Sequence, residues 1–449
     1  MQDNFSRFAS AMLLGARVLF FLAGRSLPES CGVMQDRTGA GRTRHLILAV
    51  VIFLGTMSAA CGGSEQRPAG EGGDSLTVYS SLPLQGASRD LAKDLADGAQ
   101  LALDEKGGKA GKFSVKHVSL DDSTAQAGSW DPGQTTGNAR KAVQDESAIA
   151  YLGDYNSGAS AISIPITNEG GLVQISMNGY VGLTKEFEGA TEAGEPDKYY
   201  PSGQRSYVRI QVPDDVQANA QLEYQKSQGV ERLYILHDEE VYGEGQAKLI
   251  EATADSKGVE VIDSSGIDPK AANYRGLADR VVRSGADAVF FGGFVSNNAA
   301  QLWKDLNAAN PQLKLFGGDA IAVTQFSKNI GEAGERTFLT NAIVPPERYP
   351  PAGRRFFENF KAKHGREPET YAIYGYEMMD LALDAIKRAG DNGNDRKAVL
   401  KQALSTRNRS SSLGTYSIDK NGDTTLKYMG GYRVRGGRIV FDKVLGGDI

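Results

Sequence analysis

The sequence predicts an α/β protein with parallel sheets, and two observations carry that reading. From Leu76 onward, apolar runs of about five residues alternate with helical patterns of ten to fifteen, with polar turns between them. Gly229, Gly258 and Gly285 each stand one to three residues ahead of an apolar run, where a helix-ending residue takes the left-handed conformation. Such alternation implies parallel strands joined by right-handed crossovers. The 449 residues, 40% hydrophobic with 54 glycines, are enough for two folded units and a leader.

Taken in order, the expected strands are 76–81, 113–120, 148–153, 172–176, 232–237, 259–264, 286–293 and 313–318. Eight strands can form one large sheet or two smaller ones. Between Met177 and Arg209 the rhythm fails, because the segment is too polar and too long for a strand-to-helix turn. That makes it a candidate passage between units, and Asn341–Pro351, with four prolines, is a second. Three helical patterns follow, 353–364, 370–390 and 394–405. After them TYSIDKNGDTTLKY, with Asn421-Gly422 at its centre, reads as a β-hairpin.

The amino-terminal region differs from the rest. Residues 1–60 carry six Arg, no Lys and three acidic residues, so the formal charge of −5 becomes −8 from residue 61 onward. An acidic body of this kind does not suit nucleic acid. Arg42, Arg44 and His45 precede the apolar run LILAVVIFLG (46–55) and the small residues before Cys61, the order of a secretory signal. Ten apolar residues are too few to span a bilayer. Cys61 after Ser-Ala-Ala fits a lipobox, in which the cysteine becomes the lipidated first residue; ordinary cleavage after an Ala-x-Ala-like site is the alternative. Residues 61–74, Gly-, Glu- and Ser-rich, read as a flexible tether. Cys31 and Cys61 are the only cysteines, so no disulfide framework is present.

The stretch 148–180 is the centre of the functional reading. Its strand Ala148–Gly153 breaks into Asp-Tyr-Asn-Ser-Gly, a short helix begins near Ser157, and Gly170-Gly171 releases a second strand ending at Ser176-Met177-Asn178-Gly179-Tyr180. Open α/β sheets bind ligands outside the carboxyl ends of their strands, so these polar turns form half of an expected cleft. At the ends of later strands stand Tyr242, Phe294 and Asp319. Each has a plainer role available: Ser157 and Asp319 as helix caps, Tyr242 and Phe294 as packing. Together, hydroxyls on one side and aromatics with a carboxylate on the other suit a small zwitterion. Catalytic patterns are lacking. His117, His237 and His364 are scattered, and no HExxH or G-x-S-x-G occurs. GGKAGKFS (107–114) lacks the hydroxyl residue of a phosphate loop, GEGQAK (243–248) has Lys248 in place of the third glycine of a dinucleotide fingerprint, and DKNGD (419–423) lacks the twelfth-position Glu of a calcium loop.

These residues, and the motifs SLPLQGASRD, VSLDDST, YLGDYNSGASAISIP, HDEEVYGEG, KAANYRGLADRVVRSGADAVFFGG, TYAIYGYEMMDLALDAIKRAG and LGTYSIDKNGDTT, resemble the type I periplasmic solute-binding proteins of ABC transporters, in the leucine/isoleucine/valine-binding branch. The resemblance spans most of residues 75–445. It implies two α/β lobes joined by three crossings that close on a ligand, the third crossing falling near Ser410. On this reading 1–60 is a leader whose signal is 42–60, 61–74 a tether, 75–207 with 342–409 lobe one, and 208–341 with 410–449 lobe two. The resemblance further implies that Ser157 and the 176–180 turn hold an α-carboxylate, that Asn178 and Asp319 meet the ammonium, and that Tyr242 and Phe294 close over it. Tyr155, Ser176 and Tyr180 complete the expected ligand-binding set. Ser176-Met177-Asn178-Gly179-Tyr180 departs from the family's commoner Ser-Pro-Ala-x-Thr, and Asp319 is one methylene shorter than the usual Glu.

The implied function is capture of an amino acid, branched-chain in the first instance, for delivery to a membrane ABC permease by a lipid-anchored extracytoplasmic monomer. Binding of an amide or aromatic acid, or a ligand-sensing protein of the same fold, are the alternatives. No enzyme activity, cofactor, metal or nucleic-acid partner is expected.

Overall fold

The computed structural model describes residues 75–447. The expected signal, lipidation site and tether, including Cys61, lie outside the described residues.

The chain forms two principal sheets. The first contains β1 (Ser75–Leu82), β2 (Lys109–Ala110), β3 (Phe113–Asp121), β4 (Ala148–Gly153), β5 (Val173–Ser176) and β6 (Tyr207–Arg209), in the order β2-β3-β1-β4-β5-β6. All its pairings are parallel except the short β2–β3 pair. Between the strands run α1 (Arg89–Glu105), α2 (Pro132–Gln144) and α3 (Ser157–Glu169). β4, Ala-Ile-Ala-Tyr-Leu-Gly, is buried along its whole length, as a central parallel strand covered on both faces must be. Asp131 caps α2 by accepting from the Gln134 N–H at 3.0 Å, with Pro132 at the first helical position.

The second sheet begins after α4 (Asp214–Ser227) with β7 (Arg232–His237). It continues through α5 (Val241–Ala254), β8 (Glu260–Gly266), α6 (Arg275–Ser284), β9 (Ala288–Gly292), α7 (Ala299–Ala309), β10 (Lys314–Gly317), α8 (Thr324–Asn329) and β11 (Thr337–Asn341). The glycines that end helices before these strands have positive φ, 72° at Gly229, 70° at Gly258 and 74° at Gly285, as their spacing predicts. The chain then returns to the first sheet as α9 (Pro351–His364), α10 (Ala372–Arg388) and α11 (Arg396–Leu404). α10 packs closely along α1, where a Cβ at Gly98 would lie 2.1 Å from the Ala372 carbonyl oxygen and one at Gly375 1.9 Å from that of Leu95, and leucines such as Leu91 and Leu95 are buried along α1. Each leucine fully buried there contributes about 2 kcal/mol.

The carboxyl-terminal part departs from expectation. Residues 415–428 do turn back on themselves about Asn421-Gly422, with Ile418 paired antiparallel to Thr424 and the Thr425 N–H donating to the Ser417 carbonyl at 3.0 Å, but they also find partners elsewhere. β12 (Arg409–Ser410) pairs with β13 (Thr415–Tyr416), and the Asn421-Gly422 turn leans on β6, where the Arg209 N–H donates to the Gly422 carbonyl at 2.8 Å. Glu377 of α10 accepts from Arg409 and from the Tyr416 hydroxyl, both at 2.8 Å. Residues 410–424, read from sequence with the second lobe, therefore pack on the first sheet's side. The third passage between sheets runs between Thr424 and Met429, downstream of Ser410. A longer hairpin follows, β14 (Met429–Arg435) and β15 (Arg438–Leu445), which extends the second sheet to the order β15-β14-β11-β10-β9-β7-β8. The polar segment 177–209 is packed by its tyrosines: Tyr180, Tyr199, Tyr200 and Tyr207 form a small core with Ile164 and Leu183.

Candidate functional site

The carboxyl ends of the two parallel sheets face a common cleft. From the first sheet come Tyr155, Ser157, Met177, Asn178 and Gly179, and from the second come Tyr242, Phe294, Asp319 and Ala320. Gln211, between β6 and α4, and Tyr371, just before α10, complete the lining.

The first wall is held by hydrogen bonds behind it. The backbone carbonyl of Asp154 accepts from the Ser176 hydroxyl at 3.0 Å and the Asn178 amide at 3.2 Å. Asn178 also donates to Ser160 at 2.6 Å and accepts from the Tyr207 hydroxyl at 3.0 Å, so its side chain is committed to the protein. The buried Arg209 guanidinium reaches the carbonyls of Asn178 at 3.4 Å and Tyr180 at 2.8 Å, and also bonds that of Gly179, while pairing with Asp423 at 2.9 Å. One buried ion pair thus fixes the shape of the 178–180 turn. Gly179 has no room for a side chain, since a Cβ there would lie 1.9 Å from an Asp214 carboxylate oxygen. Against this wall α3 begins at Ser157, and the first-turn N–H groups of a helix have no intrahelical partner. The Ser157 hydroxyl is buried at 1% exposure and has no hydrogen-bond partner among the described residues. A hydroxyl and a helix amino terminus together make a place for an anion.

The opposite wall is acidic and aromatic. The Tyr242 hydroxyl donates to one oxygen of Asp319 at 2.6 Å and the Gln211 amide to the other at 2.9 Å, so both groups that bond this buried carboxylate are neutral. Burial, then the nearby Asp319 charge, push the Tyr242 and Tyr371 hydroxyls well above the usual phenol range, so both stay protonated donors. Tyr155 meets Phe294 edge-on at 5.8 Å between ring centres, Tyr242 meets Phe294 at 5.3 Å, and Tyr155 meets Tyr371 at 6.1 Å. Phe294 is positioned by its own N–H, which donates to Asp238 at 2.8 Å. Burial raises the Asp238 carboxyl as well, even though Asn297 and two backbone N–H groups bond it.

Of the residues singled out from sequence, the structure brings Tyr155, Ser157, Asn178, Tyr242, Phe294 and Asp319 together around this cavity. Ser176 and Tyr180 do not line it. The Ser176 hydroxyl is spent on the Asp154 carbonyl, and the Tyr180 hydroxyl points away to Glu195 at 2.7 Å within the tyrosine-rich core. Met177 and Gly179 lie within the 176–180 turn expected at the site, whereas Gln211, Ala320 and Tyr371 were not anticipated. Gln211 follows the three-residue β6, too short to show as a strand, and Tyr371 is hidden in a helical pattern. Lys248, Asp419 and Lys112, from the rejected nucleotide, calcium and phosphate motifs, are not among the lining residues.

A family model described as periplasmic binding protein matches residues 80–438, most of the chain. The chain belongs to the type I periplasmic binding protein family, in the branch of the Leu/Ile/Val-binding proteins. The Leu/Ile/Val-binding protein BraC3 of Rhizobium johnstonii is 25% identical over 373 residues, which cover 81% of this chain and 93% of the relative. Among solved structures, the leucine-binding protein LivK of Thermotoga maritima superposes with a TM-score of 0.70 at 22% identity, covering 83% of this chain and 99% of that one. A solute-binding protein from R. palustris in complex with benzoate gives 0.69 at 19% identity, covering 84% and 97%. Both share the fold of this type I chain. Among the described residues no helix is long and apolar enough to cross a membrane.

Proposed function

We propose that this chain captures a small α-amino acid between its two sheets outside the cytoplasm and delivers it, unchanged, to an ABC permease in the membrane. The observation that carries the reading is a pair of complementary vacancies across one cavity. On one side the buried Ser157 hydroxyl lacks a partner at the start of α3; on the other the buried Asp319 carboxylate has only neutral donors. An α-carboxylate placed at Ser157 gains charge-assisted hydrogen bonds and the favourable end of the helix dipole. An α-ammonium placed at Asp319 supplies the opposite charge that a buried carboxylate otherwise lacks. The side chain then lies among Tyr155, Phe294 and Tyr371. Names of relatives in this branch favour a branched-chain side chain as the first candidate.

The two sheets act in this proposal as lobes that separate to release ligand, with the three passages between them as the hinge. Cys61, at the end of a basic-apolar-small sequence, anchors the protein by lipid through the 61–74 tether. An aromatic acid is the second reading: a benzoate complex occurs on the same fold, and four aromatic rings line this cavity. Asp319 favours the amino acid, since an aromatic acid brings no cation to it. A thermal-shift screen of the purified chain against amino acids and aromatic acids, with chromatography of the mixture afterwards, tests the proposal. Stabilisation by an α-amino acid recovered unchanged supports it; stabilisation by benzoate alone, or consumption of the ligand, overturns it.

A further inference from the structure

A wall containing Tyr155 and Ala320 separates the cleft from further open space. A second cavity lies on the far side of Tyr155 and Ala320, which line both cavities. It lies where the loop Gly86–Ser88, at the end of β1, touches the loop Val295–Asn297, after β9. Its walls differ along their length. Leu91, Val295 and Val323 give it an apolar side, and the exposed Asp90 and the half-buried Glu369 add two carboxylates.

These carboxylates are not neutralised internally. Among the described residues no hydrogen bond or ion pair within the protein engages the side chain of either one. Glu369 bonds through its backbone alone, its N–H donating to Asp94 and its carbonyl accepting from the Ala372 N–H, and that same aspartate takes up the nearby Arg366. Burial and the charges of Asp94 and Asp90 raise the Glu369 carboxyl, with Arg366 and Lys328 offsetting only part of the effect. An independent feature points into the same chamber. Ser88, only 8% exposed, stands at the cap position of α1 yet makes no cap bond, and its hydroxyl has no partner.

We propose that this chamber takes the cationic end of an amino acid with a side chain longer than leucine's, a lysine- or arginine-like ligand whose methylene stem passes Tyr155. The inference rests on the amino-acid capture reading, which fixes the ligand's head between Ser157 and Asp319. With the head fixed there, a long side chain passes the Tyr155 ring, whose face attracts a cation within about 6 Å. The apolar side covers the stem, and the ammonium or guanidinium meets Glu369, Asp90 and the free Ser88 hydroxyl. It also relieves the mutual repulsion of the carboxylates.

The test is calorimetric titration of the full-length protein with leucine, norleucine, lysine and arginine, repeated on the Asp90→Asn/Glu369→Gln double variant. Lysine or arginine is expected to bind at least as tightly as norleucine. In the double variant the ratio of lysine to leucine affinity is expected to fall about tenfold or more, and 0.5 M salt is expected to lower the same ratio in the parent. Binding of leucine without lysine or arginine overturns the inference and leaves the capture reading standing. So does lysine binding whose ratio to leucine is unchanged in the double variant. Failure of all four ligands overturns the capture reading itself, and the chamber assignment with it.

Discussion

Replacing Asp319 by Asn isolates the charge at the centre of the site. The carboxylate is buried, accepts from Tyr242 at 2.6 Å and from Gln211 at 2.9 Å, and is bonded by no cation in the ligand-free protein. Asparagine preserves the shape, and its oxygen can still accept from Tyr242. Its new N–H group faces the Gln211 amide, whose own oxygen is unpartnered, so a half-turn of that amide restores the bond. The substitution also removes the charge that, after burial, does most to raise the Asp214 carboxyl. The ligand-free protein is therefore expected to melt within a few degrees of the parent. The bound state is different, because the ligand ammonium loses its counter-charge after both have been desolvated. Removing one member of such a pair costs about 3 to 5 kcal/mol, or roughly two to three and a half orders of magnitude in affinity. Calorimetric titration with the best amino acid, alongside thermal denaturation without ligand, measures both quantities. An affinity within about threefold of the parent, with the melting temperature held, refutes the assignment of Asp319 to the ammonium.

Other outcomes follow from neighbouring groups. Ser157→Ala is expected to weaken binding about tenfold or more, since a hydrogen bond to a charged group contributes about 1.5 to 3 kcal/mol; unchanged affinity by titration returns Ser157 to a packing role. Asp423→Ala leaves the buried Arg209 guanidinium unpaired, so denaturant unfolding is expected to show a loss of about 3 to 5 kcal/mol even without ligand. Glu240, raised from 4.5 to about 7 by burial and then by the charge of Asp238, holds its proton in the folded chain over a range where the unfolded chain has released it. Its contribution is therefore full below about pH 4.5 and lost as pH rises through about 7, by up to about 3 kcal/mol, and Glu240→Gln is expected to flatten that part of a stability-against-pH curve. Cys61→Ala is expected to release the protein from membranes or block its maturation while leaving ligand affinity unchanged, as fractionation and titration read out.

Much of the architecture was legible because parallel strands leave a plain mark. β1, β3, β4 and β7 are apolar runs between turn residues, and the left-handed glycines before β7, β8 and β9 announce where helices stop. The strands that escaped notice had weaker signals. β6 is three residues long, and β14 opens with Met429-Gly430-Gly431, which reads as a loop. The Asn421-Gly422 turn had the right local chemistry for a hairpin and closes as one, Ile418 opposite Thr424, but its second bonding to Arg209 of β6 could not be read from the local sequence. At the site, position along the chain located strand ends correctly and could not give side-chain direction. Ser157 and Ser176 end up in adjacent turns with opposite fates, one hydroxyl facing the cavity and the other turned onto Asp154. Tyr371 enters from a helix start just over two hundred residues beyond α3, a juxtaposition that only the packing of α10 on the first sheet reveals.

The account stands on one claim, that both charged ends of an amino acid are held at once between Ser157 and Asp319. Titration of the purified protein with a matched set, the free amino acid, its methyl ester and its N-acetyl derivative, tests it most directly. The free amino acid is expected to bind at least a hundredfold more tightly than either blocked form, since each block removes one charge and leaves its buried partner unmet. Equal binding of the N-acetyl derivative contradicts the role of Asp319, equal binding of the ester contradicts that of Ser157, and equal binding of both contradicts the account.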